Sequence, residues 1–187
     1  MTGRLEFVFG YGSLAARPQP IATREIHPRG FVAELSGARR TWGVAMDNRR
    51  DLPGYKYYTD AAGRRPGVFV AYLDLLPAEA TVNGLCLPVD GTTLLELDRR
   101  ERNYARVDVS DRVDAGGARV WVYVGTAAAR RRLAQGRRTG TAVIDAGYVR
   151  AVEGAFRALG PDEHDACRPS LDPAGLPVVE LVRHELP

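Results

Sequence analysis

Cysteine, lysine and long apolar runs are all scarce in this 187-residue chain, and each scarcity excludes something. Cys86 and Cys167 are the two cysteines, and neither belongs to a CxxC pair. Disulfide frameworks and zinc sites need closer or more numerous partners. Cys86, flanked by Leu85 and Leu87, reads as a core residue. The three histidines, His27, His164 and His184, are scattered without ligand spacing, so a metal is not expected. No apolar run approaches the ~20 residues of a membrane helix. The residues before the first strand carry no signal-type apolar stretch, so a cytoplasmic address and no membrane partner are expected.

Lys56 is the single lysine among 26 basic residues, and the formal charge is +3. The densest basic tract, Arg130 to Arg138, has no aromatic residues for base stacking, and 23 acidic residues are spread through the chain. A solvated helix face explains the tract better than nucleic-acid binding, which is not expected. The length suits one domain over 1–187, with a core at about 7–160 and a C-terminal tail at 161–187. Oligomeric state is not legible.

What is present is a turn-rich alternation of strands with few helices. Leu5–Phe9 reads as a first strand by its alternation. Phe31–Leu35 and Thr41–Met46 follow, separated at Ser36-Gly37. The stretch from Asn48 to Pro66, with Pro53-Gly54 and Gly63, reads as a long surface loop holding Tyr55, Tyr57 and Tyr58. Strands resume at Val68–Leu75 and Thr81–Val89. Thr93-Leu94-Leu95-Glu96 has the form of a capping box and predicts a helix from Leu94 to about Arg102. Val107–Val113 and Arg119–Val124 resemble a hairpin pair. Asp145–Leu159 reads as a helix ended by Gly160-Pro161, and a last strand is expected at Val178–Arg183. Without strict βαβ alternation, the pattern gives an α+β protein: a curved mixed sheet or barrel flanked by a few helices.

Two features carry chemistry. Val8-Phe9-Gly10-Tyr11-Gly12-Ser13-Leu14 runs from a strand into a glycine turn, where backbone can approach a ligand closely and amides can converge on an anion. It has neither the GK[ST] ending of a P-loop nor the spacing of GxGxxG. The second feature is Glu101, which projects onto the apolar arc of Leu94, Leu95 and Leu97, away from Glu96, Arg99 and Arg100. A carboxylate on a buried face should be paired, for which Arg106 is a candidate, or functional. Asp98 projects to the same side and is a candidate structural acid.

Together these residues resemble the γ-glutamylcyclotransferase superfamily, including ChaC-like and AIG2-like proteins. Tyr11-Gly12-Ser13-Leu14 is similar to its YGS[LN] turn, and Leu97-Asp98-Arg99-Arg100-Glu101 to its LDxxE helix. The tract continues through Arg102-Asn103-Tyr104-Ala105-Arg106. Tyr123 in a late strand and Tyr148 at the start of the last helix stand where relatives place substrate-contacting tyrosines. The resemblance spans roughly Phe7 to Gly160. It departs at Asp145-Ala146-Gly147-Tyr148, which lacks a serine common in relatives. Leu52–Tyr58 also has no counterpart in the familiar members.

The resemblance implies a γ-glutamylcyclotransferase-like fold and an enzyme that cyclises a γ-glutamyl amide or peptide to 5-oxoproline. It implies Glu101 as general acid/base and Tyr11, Gly12, Ser13, Leu14, Tyr123 and Tyr148 as substrate-binding residues. The implied partner is a γ-glutamyl small molecule, with no cofactor needed. Relatives share the γ-glutamyl end and differ beyond it, which makes the loop from 48 to 66 the expected determinant of the leaving amine. Two other readings compete: a non-catalytic small-molecule-binding or regulatory member of the same fold, and a nucleic-acid-associated protein using the arginine tract.

Overall fold

The computed structural model describes residues 5–16 and 23–186. Chain order is β1 (Glu6–Gly10), β2 (Phe31–Asp47), β3 (Lys56–Thr59), β4 (Phe69–Pro88), α1 (Gly91–Arg100), β5 (Tyr104–Asp108), β6 (Arg119–Gly125), α2 (Ala127–Thr139), β7 (Ala142–Asp145), α3 (Ala146–Leu159), α4 (Pro161–Cys167), a 3₁₀ turn Arg168–Leu171, β8 (Val178–Val179) and β9 (Val182–Glu185). Among the described residues, seven strands make one mixed sheet in the order β5-β6-β1-β4-β7-β8, with β2 also paired to β4. The protein is α+β, a curved mixed sheet with four α-helices among the described residues.

The long strand β4 sets this arrangement. One of its edges pairs with β2 from Phe69↔Asp47 to Cys86↔Phe31. Its other edge is divided: residues 69–71 take β7 in parallel, and residues 85–88 take β1 antiparallel. Phe7, Phe9, Phe31, Leu73, Leu85, Val120 and Ile144 are fully enclosed where these strands pack. Cys86 belongs to the same core, as its apolar neighbours indicate, and burial pushes its thiol up to about 12.

Several boundaries differ from the sequence reading. The two short strands before Asp47 are one 17-residue strand, because the Gly37 region is accommodated as a register shift between Ser36 and Ala38. A second shift falls between Trp42 and Val44. An extra residue bends a strand without ending it. Likewise 68–75 and 81–89 fuse into β4, with Pro77 exposed at its middle. The expected capping box at Thr93 is absent. Asp90 is the N-cap instead, its Oδ1 accepting Thr93 N–H at 2.7 Å, and α1 starts three residues earlier and ends at Arg100. Leu95 is 59% exposed, so the buried arc of α1 is Leu94 and Leu97.

The partner of β6 is Tyr104–Asp108 rather than 107–113. The surface loop expected at 48–66 contains β3, which pairs with β9, and Tyr55 and Tyr58 are buried. Beyond residue 160 the chain is built into the fold: β8 extends the main sheet beside β7, and β9 completes the small sheet. The arginine tract is a helix, but not a wholly solvated one. Arg130 Nε reaches Asp74 Oδ2 at 2.8 Å, and Arg132 donates to Ala45 O and Asn103 Oδ1.

Asp74 has no solvent exposure. Its Oδ1 accepts the Gly125 and Leu75 N–H groups at 2.7 and 2.8 Å, while Arg130 covers Oδ2. The room comes from Gly43 and Gly125: a Cβ on Gly125 would lie 2.5 Å from Asp74 Oδ2 and closer still to Val44 Cγ1. Gly125→Ala should therefore destabilise the fold by about 1–3 kcal/mol or more, the usual cost of overpacking. Urea denaturation is the check, and a stability equal to the parent would contradict this packing.

Candidate active site

The glycine turn begins where β1 ends. Ala15 N–H donates to Gly12 O at 2.9 Å and Ala16 N–H to Ser13 O at 3.2 Å, closing a compact turn. Position 12 is closely approached: a Cβ there would stand 3.0 Å from the Tyr148 hydroxyl, which would have to shift to admit it. The turn is tied to the neighbouring strand by Tyr11, whose hydroxyl donates to Tyr123 O at 2.7 Å.

Glu101 lies one residue past α1, at its C-cap, and not on the helix body. Its N–H still closes the helix onto Leu97 O at 2.8 Å, and its carbonyl accepts Tyr104 N–H at 2.9 Å. The side chain is only 14% exposed, and Oε1 pairs with Arg100 Nε at 3.2 Å rather than with Arg106. Arg106 pairs with Asp98 at 3.3 Å, and Asp98 also accepts the Tyr123 hydroxyl at 2.7 Å. Asp98 is thus the structural acid of the two. Just downstream, Asn103 anchors the segment: it donates to the Tyr55 hydroxyl, accepts from Arg132, and its carbonyl accepts Thr126 N–H.

Tyr11, Gly12, Ser13, Leu14, Glu101, Tyr123 and Tyr148 all line one narrow recess of about 30 Å³. Every residue expected at the site is therefore brought together. The recess adjoins a wide cleft of about 750 Å³, and Ser13, Glu101 and Tyr148 border both. Glu101 is the acid at that junction.

Tyr104, the remaining residue of the recess, was missed by the sequence reading, as was Lys56 on the cleft wall. Tyr104 anchors its hydroxyl on Leu73 O at 2.7 Å. Its signal was an aromatic three residues beyond Glu101. For Lys56 the signal was being the single lysine of an arginine-rich chain.

The electrostatics follow from enclosure. Burial pushes the Tyr11, Tyr104, Tyr123 and Tyr148 phenols upward, and the nearby Glu101 charge adds to this at each. At Tyr123 the bond to Asp98 contributes more than Glu101 does. At Tyr148, hydrogen bonding from the Leu73 and Ser13 backbones opposes the rise. Phenols held this way are neutral hydrogen-bond donors and acceptors at physiological pH. Burial acts the opposite way on Lys56, bringing its ammonium down to about 8, with Arg183 pushing it the same way and Glu101 opposing. The ammonium rests 4.2 Å from the centre of the Tyr72 ring and 5.7 Å from that of Tyr55. Among the described residues, no cluster of His, Cys, Asp and Glu has the make-up of a metal site.

No family model matches the chain, and no curated protein matches it. Solved structures do. YkqA from Bacillus subtilis aligns with TM-score 0.55 at 17% identity over 95% of this chain, which spans 57% of YkqA's length. An uncharacterized human protein aligns with TM-score 0.52 at 13% identity, covering 89% of this chain and 88% of its own. A γ-glutamyl cyclotransferase from yeast, specific to glutathione, aligns with TM-score 0.50 at 14% identity, covering 91% and 99%. Another γ-glutamyl cyclotransferase aligns with TM-score 0.50 at 11% identity, covering 88% and 86%. The chain has the γ-glutamylcyclotransferase fold. In this example of the fold, the conformation of the first turn and the end of α1 together define the recess. No described helix is long and apolar enough to cross a membrane.

The cost of holding Lys56 in this fold is measurable. Its folded value, about 8, lies below the ordinary 10.5, so between these two the unfolded chain binds the proton more tightly. Stability should rise with pH across that window. Lys56→Met should melt above the parent at pH 7, with the difference shrinking as pH approaches 10.5. Melting curves at pH 7, 8.5 and 10 read this out; a parent that melts higher than the variant at pH 7 would contradict it.

Proposed function

We propose that the protein is a γ-glutamylcyclotransferase-type enzyme that converts a γ-glutamyl amide or peptide into 5-oxoproline and a free amine, with Glu101 as general acid/base. The observation that carries this reading is the largely buried Glu101 carboxylate at the junction of the narrow recess and the wide cleft. The recess is lined by the glycine turn and four tyrosines.

The chemistry asks for little more. The α-amino group arrives as an ammonium and must lose a proton before it can attack. Glu101 takes that proton. The nitrogen then adds to the γ-carbonyl carbon, forming the ring C–N bond and an oxyanion. Collapse of the oxyanion breaks the C–N bond to the leaving amine, and the proton held by Glu101 passes to that nitrogen. The second proton shed by the ring nitrogen follows through the same carboxylate, so that the amine leaves as its ammonium and the lactam is neutral. One carboxylate thus serves in both directions, and atoms balance without a co-reactant.

Because nucleophile and electrophile belong to one molecule, the main task is to hold the glutamyl chain in its cyclic geometry. Backbone amides from Gly12 to Leu14 are the groups to receive the α-carboxylate or the developing oxyanion, the Ser13 N–H doing so in exchange for its bond to the Tyr148 phenol. Ser13 acts through its backbone in this scheme. Tyr11 and Tyr123 stiffen the recess through their mutual bond and the Asp98 anchor. Tyr148 stands against Gly12 and presents a neutral phenol to the substrate.

A screen of γ-glutamyl amino acids, peptides and amines for 5-oxoproline release tests the proposal. Glu101→Gln should lower turnover by about 10²–10⁴-fold, the range for loss of a general acid/base group, with an unchanged melting temperature. Full activity in that variant would remove Glu101 from the mechanism. Binding of γ-glutamyl compounds without any turnover would favour a non-catalytic role.

A further inference from the structure

The wide cleft is lined by charges, and most of them are already committed. Glu101 pairs with Arg100, and Arg183 pairs with Glu185. Arg102 donates to Pro53 O at 2.8 Å. Asp145 caps α3 through Gly147 and Tyr148 N–H and also accepts Leu181 N–H. Glu96 and Arg99 stand exposed on α1 at the rim.

Lys56 is different. It projects from β3, which is held in place by its pairing with β9, and its ammonium is withdrawn from water against Tyr72 and Tyr55. Among the described residues no carboxylate comes within ion-pair distance of it; the ring faces are its contacts. A half-buried amine without an acceptor is poorly solvated, and part of that cost is recovered when an anion arrives. Lys56 also lines the wide cleft and not the narrow recess, so it stands outside the space that the glycine turn and Glu101 enclose together. An α-carboxylate held by the turn leaves Lys56 for the other end of the substrate.

We infer that Lys56 is a specificity-determining residue that receives a carboxylate carried by the leaving amine, so that the preferred donors are γ-glutamyl amino acids or short peptides rather than γ-glutamyl alkylamines. This rests on the cyclotransferase reading and adds to it the chemistry of the far end of the substrate. Arg100, Arg183, Glu101 and Glu185 are the charged groups whose fields reach the ammonium. Carboxylate binding needs the protonated form, which the free protein holds below about pH 8.

The test uses two donors that differ only at that carboxylate, γ-glutamyl-alanine and γ-glutamyl-alaninamide. For the parent protein, kcat/KM should favour the acid by about tenfold or more, as expected for a charge-assisted bond. In Lys56→Met the ratio should fall to about twofold, mainly through KM, and Lys56→Arg should restore part of it. The acid's KM should climb above about pH 8 while the amide's does not follow it. Equal use of both donors by the parent, or an undiminished preference in Lys56→Met, overturns the inference while leaving the cyclotransferase reading intact.

Calorimetric titration of both compounds into parent and Lys56→Met protein separates the two claims. Carboxylate-dependent binding that disappears in Lys56→Met, without any 5-oxoproline release, supports the Lys56 assignment and removes the catalytic one. Equal binding of acid and amide, or none of either, overturns it.

Discussion

A carboxylate with no access to water must be answered from inside the protein, and the answer to Asp74 organises much of this molecule. It sits in the first third of β4, bonded to its own strand at Leu75, to the last residue of β6 at Gly125, and to α2 through Arg130. Two glycines, Gly43 in the bulged part of β2 and Gly125, make the space. With one partner removed, a buried charge of this kind is strongly destabilising, so the three elements are fixed together. That constraint holds α2 and the end of β6 against β4.

The candidate site is assembled beside this joint. Leu73, the residue before Asp74, accepts the Tyr104 hydroxyl and lies against Tyr148. Arg132, two residues after Arg130, holds Asn103, and Asn103 holds the segment that carries Glu101. A chain of short bonds therefore runs from the enclosed carboxylate to the one at the mouth of the recess. The two acids differ in commitment as well as in burial: Asp74 is fully enclosed with its oxygens covered by donors from three elements, whereas Glu101 is partly exposed, has a single ion pair and borders open volume. That contrast separates a structural carboxylate from a chemical one more sharply than burial does.

Much of the α+β character was legible because strand alternation and the helix at 146–159 depend on local pattern. Cys86 was legible as core for the same reason, from its apolar flanks. Boundaries failed where a local breaker was absorbed by its surroundings. Ser36-Gly37 and Pro77 look like strand ends, yet each lies within a long strand whose partner continues past it. The capping box failed because Asp90 stood three residues earlier with a better acceptor. Tyr55 and Tyr58 looked like loop residues because β3 has only four residues and its partner, β9, lies more than 120 positions away.

By itself the sequence determined the glycine turn and the Leu97-to-Glu101 tract, since these rest on residue type and local spacing, whereas the enclosure of Glu101 comes from its place at the C-cap and not from the helical projection that suggested it. It also determined that Tyr123 and Tyr148 occupy a strand and a helix start. Only the tertiary structure decided that these pieces share one recess, that Asp98 and not Glu101 takes Arg106, and that Tyr104 completes the wall. It alone placed Lys56 on the cleft, against two aromatic rings and beyond ion-pair distance of any carboxylate among the described residues. The reason is that pairing across a sheet and the withdrawal of a charge from water depend on residues distant in sequence. No window along the chain contains β3 and β9 together, and the environment of Lys56 exists only once they pair.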